Sequence, residues 1–183
     1  MLEITIPAVK LETFDERTNK FVNINIKETT LRLEHSLVSL SKWESKWCKP
    51  FLKKEQKTQE ETIDYVKCMT LTQNVDPMVY KFISADNFKK ISDYIESQHT
   101  ATYIRDIKGK KSREPVTSEL IYYWMISLNI PFECQKWHLN RLLTLIKVCS
   151  MKNQPPKKMS KSAILAQNDA LNEQRLKQLK TKG

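Results

Sequence analysis

Cys134 and His138 stand four residues apart in a stretch with helical patterning, a spacing that brings a thiol and an imidazole to one helical face. That is the minimum geometry for a base-activated nucleophile, but no carboxylate can be assigned to orient the imidazole. The pair reads better as part of a core helix. His35 and His99 fall near expected element ends and form no HxxE or HExxH pattern. Cys48, Cys68, Cys134 and Cys149 are widely spaced without a CxxC pair, which indicates neither a zinc site nor a disulfide framework. The carboxylate pairs Glu60 with Glu61 and Asp86 with Asp93 suit helix starts and solvated faces. The only two glycines are Gly109 and Gly183, and neither GxGxxG nor GxxxxGK(S/T) occurs, so loops that cradle phosphate are nearly excluded. These readings lead to the expectation of a binding protein rather than an enzyme, with no cofactor and no metal.

The formal charge of +10 is unevenly distributed. Residues 152–183 hold eight basic and two acidic side chains, a net +6, which leaves +4 on the preceding 151 residues. The basic signal therefore belongs mainly to the C-terminal tail. A nucleic-acid groove would interleave such cations with stacking aromatics. Here Trp43, Trp47, Tyr122 and Tyr123 lie in apolar helical patterns, apart from Lys108-Gly109-Lys110-Lys111-Ser112-Arg113 and from the tail. A basic nucleic-acid-binding accessory protein is kept as the competing reading. The start Met1-Leu2-Glu3-Ile4-Thr5-Ile6 lacks the features of a secretory signal, and the apolar-leaning stretch from Leu120 to Ile130 is too short to span a bilayer. The expectation is a reduced cytoplasmic setting without a membrane.

A chain of 183 residues, 40% hydrophobic, can bury one core, or one core with an appendage. Val9, Leu11 and Thr13, then Val22, Ile24 and Ile26, alternate with polar residues around a polar turn, which predicts a β-hairpin extended by Ile4 to Ile6 and Thr29 to Leu33. From Ser36, Leu37, Leu40, Trp43 and Trp47 recur at helical spacing until Pro50. Thr58 with Glu61 forms a capping-box pattern ahead of Ile63, Val66 and Met69, and a third helix follows Ser84 with Phe88, Ile91, Tyr94 and Ile95. A short second hairpin is read over Ala101 to Ile107, returning through Arg113 to Val116. Thr117 or Ser118 caps a helix carrying Leu120, Ile121, Trp124, Met125 and Leu128. Cys134 to Val148 is apolar on more than one side and is expected to be the central, buried helix. Asn153 to Lys158 reads as a proline hinge, and Ser160 to Lys180 as a last helix with a thin apolar stripe. The fold class is α+β, mostly α. It comprises an N-terminal β-hairpin region over residues 1–35 packed on the body, a helical bundle over 36–152, and a hinge with a C-terminal basic helix over 153–183.

Four segments carry a family resemblance: Leu33 to Glu44 (LEHSLVSLSKWE), Ile121 to Ile126 (IYYWMI), Ile130 to Leu143 (IPFECQKWHLNRLL) and Gln154 to Ser160 (QPPKKMS). In these the chain resembles the tail assembly chaperones of long-tailed bacteriophages. The resemblance implies a non-catalytic role in the cytoplasm of the infected bacterial host. The protein would bind the helical tape-measure protein, keep it soluble until the tail tube polymerises around it, and be absent from the finished virion. It implies the tape-measure protein as partner, with the tail tube protein and further copies of the chain as additional ones. No set of binding residues comes with it. The partner-binding candidates are instead inferred from the residues themselves: the tryptophan edge Trp43 and Trp47, and the tail cations Lys157, Lys158, Lys161, Arg175 and Lys177.

Overall fold

The structure, a computed structural model, describes residues 1–15, 20–104, 115–153 and 161–179. The fold is α+β and mostly α, with its strands at the N-terminus. The chain forms two compact units, Met1–Ser150 and Met151–Gly183.

The strands β1 (Leu2–Ile6), β2 (Val9–Asp15), β3 (Lys20–Ile26) and β4 (Thr29–Leu33) make one long antiparallel hairpin in two ladders. β2 pairs with β3 and β1 with β4, and partner numbers sum to 35 in both, from Leu2↔Leu33 to Asp15↔Lys20. The register is therefore continuous, and the ladder is interrupted at Pro7, which has no N–H to donate. Alternation fixes the buried face: Ile4, Ile6, Leu31 and Leu33 are all buried, while Glu3, Thr5, Thr30 and Arg32 face out. The extension expected from Ile4 to Ile6 and Thr29 to Leu33 is thus the part of the hairpin that packs into the core. A bare hairpin would be marginal, and this one is completed by its apolar face.

Helix α1 (Leu37–Trp47) begins with a capping box in which Ser36 and Ser39 satisfy each other's backbone amides. It ends at Cys48, which takes a left-handed conformation (φ 52°) and donates its N–H to the Glu44 carbonyl at 2.8 Å. Thr58 and Glu61 form the expected capping box of α2 (Gln59–Met69). A 3-10 turn, Pro77–Phe82, leads to α3 (Ala85–Glu96), capped by Ser84, and α4 (Ser118–Ser127) is capped by Thr117. A second 3-10 turn, Phe132–Lys136, precedes α5 (Leu139–Lys152).

Two apolar clusters share α1. Trp43 sits in the first, with the hairpin, α2, the turn Pro77–Phe82 and α3. Leu37 and Leu40 sit in the second, with Ile121 and Met125 of α4 and Leu139, Leu142 and Ile146 of α5. The helix at the centre of this unit is therefore α1, which corrects the expectation placed on Cys134 to Val148. That stretch is not one helix, and α5 buries a single stripe at spacings of three and four. A helix running through His138 would send the Leu139 N–H back to the preceding turn. Instead that N–H is bonded to the His35 carbonyl at 2.7 Å, and Ser36 and His138 form a β-bridge.

Residues 101–104 and 115–116 are not strand, and the rest of the expected second hairpin lies outside the described residues. So do Gln154 to Lys158 of the expected hinge and Ser160 at the start of the expected last helix. In the second unit the last helix is α6 (Lys161–Leu179), which leaves Ile164, Leu165, Leu171, Leu176 and Leu179 exposed. Among the described residues no helix is long and apolar enough to cross a membrane.

Candidate functional site

Trp43 and Trp47, one turn apart on α1, stack with ring centroids 6.1 Å apart. Each uses its indole N–H to tie α1 to α2: Trp43 donates to the Glu61 carbonyl at 2.9 Å and Trp47 to Asp64 Oδ2 at 3.0 Å. Trp43 is only 2% exposed. Its ring is packed beneath the surface of this unit, so it belongs to the core rather than to the partner-binding edge expected of it. Trp47 is half-buried, flanked by the Lys46 and Lys49 ammonium groups at 5.7 and 5.9 Å from its ring. The same lysines close the seam electrostatically. Hydrogen bonds from Lys49 and the Thr58 amide hold the Glu61 carboxyl below its ordinary range. Burial would raise Asp64, but hydrogen bonds from Lys46 and Trp47 outweigh it and hold that group low as well.

The thiol–imidazole pair does not assemble. Cys134 is buried in its 3-10 turn, and both ring nitrogens of His138 are engaged elsewhere. Nε2–H donates to the Tyr94 carbonyl at 3.0 Å, and Nδ1 accepts the Asn140 N–H at 3.3 Å. These two bonds specify the neutral tautomer. Asn140 Nδ2 donates to the Ile95 and Ser97 carbonyls, both at 2.9 Å. The start of α5 thereby satisfies carbonyls left open at the end of α3.

Around His138 the fold gathers all three histidines of the chain, which sequence reasoning treated as unconnected. His99 lies 4.2 Å and His35 5.1 Å from its ring centroid, with Tyr94 edge-on at 5.0 Å. His35 Nδ1 shares a hydrogen bond of 2.5 Å with the Tyr65 hydroxyl. The Tyr94 hydroxyl donates to Glu34, which also holds the N-terminal ammonium group at 2.9 Å. Burial, helped by His138, pushes the His35 imidazole down to about 3. Burial also lowers His138, against the pull of the Tyr94 carbonyl.

The linkage has one sign. Below the ordinary value of 6.5 the unfolded chain takes up protons that the folded chain refuses, so stability is complete above that pH and declines as the pH falls. His35 alone corresponds to about 1.4 kcal/mol per pH unit down to its folded value. Urea denaturation at pH 7 and 4.5 is expected to differ by about 2–3 kcal/mol, and His35→Gln is expected to flatten that difference. Glu61 and Asp64 add losses of the same sign only nearer the carboxylate range. Equal slopes for wild type and His35→Gln between pH 6.5 and 4.5 would contradict the assignment.

Of the tail candidates, Arg175 and Lys177 are exposed on α6, Lys161 is its first residue, and Lys157 and Lys158 lie outside the described residues. The body also exposes apolar side chains that the sequence reading did not name as partner-binding candidates. On α4, Tyr123 (63%) and Ile126 (61%) face outward, Phe132 of the following turn is exposed, and Tyr122 lies 6.4 Å from the Phe132 ring. The signal was present in the sequence: Tyr123 and Ile126 fall three apart, off the stripe formed by Ile121 and Met125.

Comparison with family models, with curated proteins and with solved structures found no match.

Proposed function

We propose that the chain is a tail assembly chaperone of a long-tailed phage. In this reading it binds the tape-measure protein in the cytoplasm of the infected host, keeps it soluble until the tail tube polymerises, and is left out of the finished virion. One observation carries the reading: Tyr123 and Ile126 of α4 and Phe132 of the following turn are large apolar side chains left exposed on a folded helical body. A tape-measure protein without its tube presents apolar helical stripes, and such stripes aggregate unless covered. Apolar side chains at i, i+3, i+4 and i+7 of an amphipathic helix would lie on the α4 surface. Weak contacts repeated along a long partner give avidity while allowing displacement by the tube protein. Self-association and contact with the tube protein fit the same apolar surface.

Co-expression tests this reading. A tape-measure protein that pellets when expressed alone is expected to move to the soluble fraction with this chain. With Tyr123→Gln/Ile126→Gln, which alters exposed helix positions only, it is expected to return to the pellet. A pellet unchanged by the wild-type chain would refute the chaperone role. The net +6 of residues 152–183 favours the competing nucleic-acid reading, whose signature would be an affinity for DNA falling steeply with salt.

A further inference from the structure

We propose that the groove between residues 99–102 and the outer face of α5 docks an acidic, amphipathic segment of a protein partner, with Arg141 receiving its carboxylate. The proposal rests on the chaperone reading and adds to it a binding chemistry and a place. The groove measures about 400 Å³. Trp137, Leu145 and Val148 give it an apolar lining, as the stem of an amphipathic segment requires.

Arg141 supplies the polar specificity. Its guanidinium carbon lies over the Trp137 ring, 4.2 Å from the centroid, a cation–π contact that positions the group before any partner arrives. Among the described residues no carboxylate forms a salt bridge with it, and the residues lining the groove include no acidic side chain. Of the neighbouring hydroxyls, Thr144 donates to the Asn140 carbonyl at 2.8 Å, and Thr100 accepts the Thr102 amide at 3.2 Å. The guanidinium fork is the permanent cation among the residues lining the groove, and its geometry matches a carboxylate in bidentate fashion. The opposite wall is held by His99, which packs on His138 and Tyr94 with ring centroids at 4.2 and 4.9 Å. A nucleic-acid strand would call for a track of several cations along its phosphates. One guanidinium over a tryptophan ring in an apolar groove suits a peptide carboxylate better.

Fluorescence anisotropy on the full chain tests this. The probes are a labelled 20-residue helical peptide with leucines at three- and four-residue spacing flanked by glutamates, its glutamine counterpart, and a labelled 20-nucleotide single-stranded DNA. The glutamate peptide is expected to bind about tenfold more tightly than the glutamine peptide. Arg141→Ala, an exposed position that leaves the core untouched, is expected to erase that preference, and Arg141→Lys to restore it only in part. Equal binding of both peptides, indifference to Arg141→Ala, or Arg141-dependent binding of DNA alone would overturn the groove assignment. Co-expression on the same variants separates the two proposals. Solubilisation kept without peptide preference overturns the groove alone, and peptide preference without solubilisation overturns the chaperone reading alone.

Discussion

Trp43→Ala is expected to destabilise the protein by about 4–5 kcal/mol, at the upper end of large-to-small core replacements. The indole is fully packed in the first apolar cluster, stacked on Trp47 and met edge-on by Phe51 at 5.0 Å, so its removal opens a cavity at the α1–α2 seam. The loss also removes the hydrogen bond to the Glu61 carbonyl. Trp43→Phe keeps much of the volume and forfeits that bond, for an expected cost of about 1–2 kcal/mol. Stabilities of small domains are about 5–15 kcal/mol, so the alanine variant should sit near the edge of folding. Urea denaturation measures both. A loss below about 1 kcal/mol for alanine would show that Trp43 is not the core anchor described.

Glu44→Ala is expected to cost about 3–4 kcal/mol, for a different reason: it leaves backbone donors without acceptors. Glu44 is buried on α1, with Oε1 accepting the Phe51 N–H at 2.8 Å and Oε2 the Ser118 N–H at 2.7 Å. Ser118 is the first residue of α4, so the carboxylate meets the positive end of that helix. One side chain thereby fastens both the segment after α1 and the start of α4. Glu44→Gln retains one good acceptor and should lose about half as much. A near-neutral alanine variant in the same denaturation experiment would mean that water replaces the carboxylate at both amides.

What was legible in the sequence were features whose physics closes within a few residues. The caps at Ser36, Thr58, Ser84 and Thr117 each bond the amide three positions on, and the alternation of the hairpin reports its buried face. What was not legible depends on partners far along the chain. Glu44 and Ser118 are 74 residues apart, and His138 reaches Tyr94 across 44. Nothing local marks Glu44 as different from a solvated helix carboxylate. The two tryptophans of α1 share one pattern, yet one turn separates a buried ring from a half-buried one, because Trp43 faces the hairpin and α2 together. Broad apolarity misled at α5. Its second apolar face is groove lining, with Leu145 and Val148 beside Trp137 and Arg141. The aromatic surface of α4 was readable as a second stripe but was absorbed into the core helix that carries it.

The most direct test of the chaperone account is affinity capture by the full chain from nuclease-treated lysate of phage-infected cells, with the recovered protein identified by mass spectrometry. Recovery of the phage tape-measure protein by the wild-type chain, and its loss with Tyr123→Gln/Ile126→Gln at unchanged thermal stability, is the predicted result. Recovery of no tape-measure protein, together with nucleic acid captured only before nuclease treatment, would contradict it and assign the chain to nucleic-acid binding.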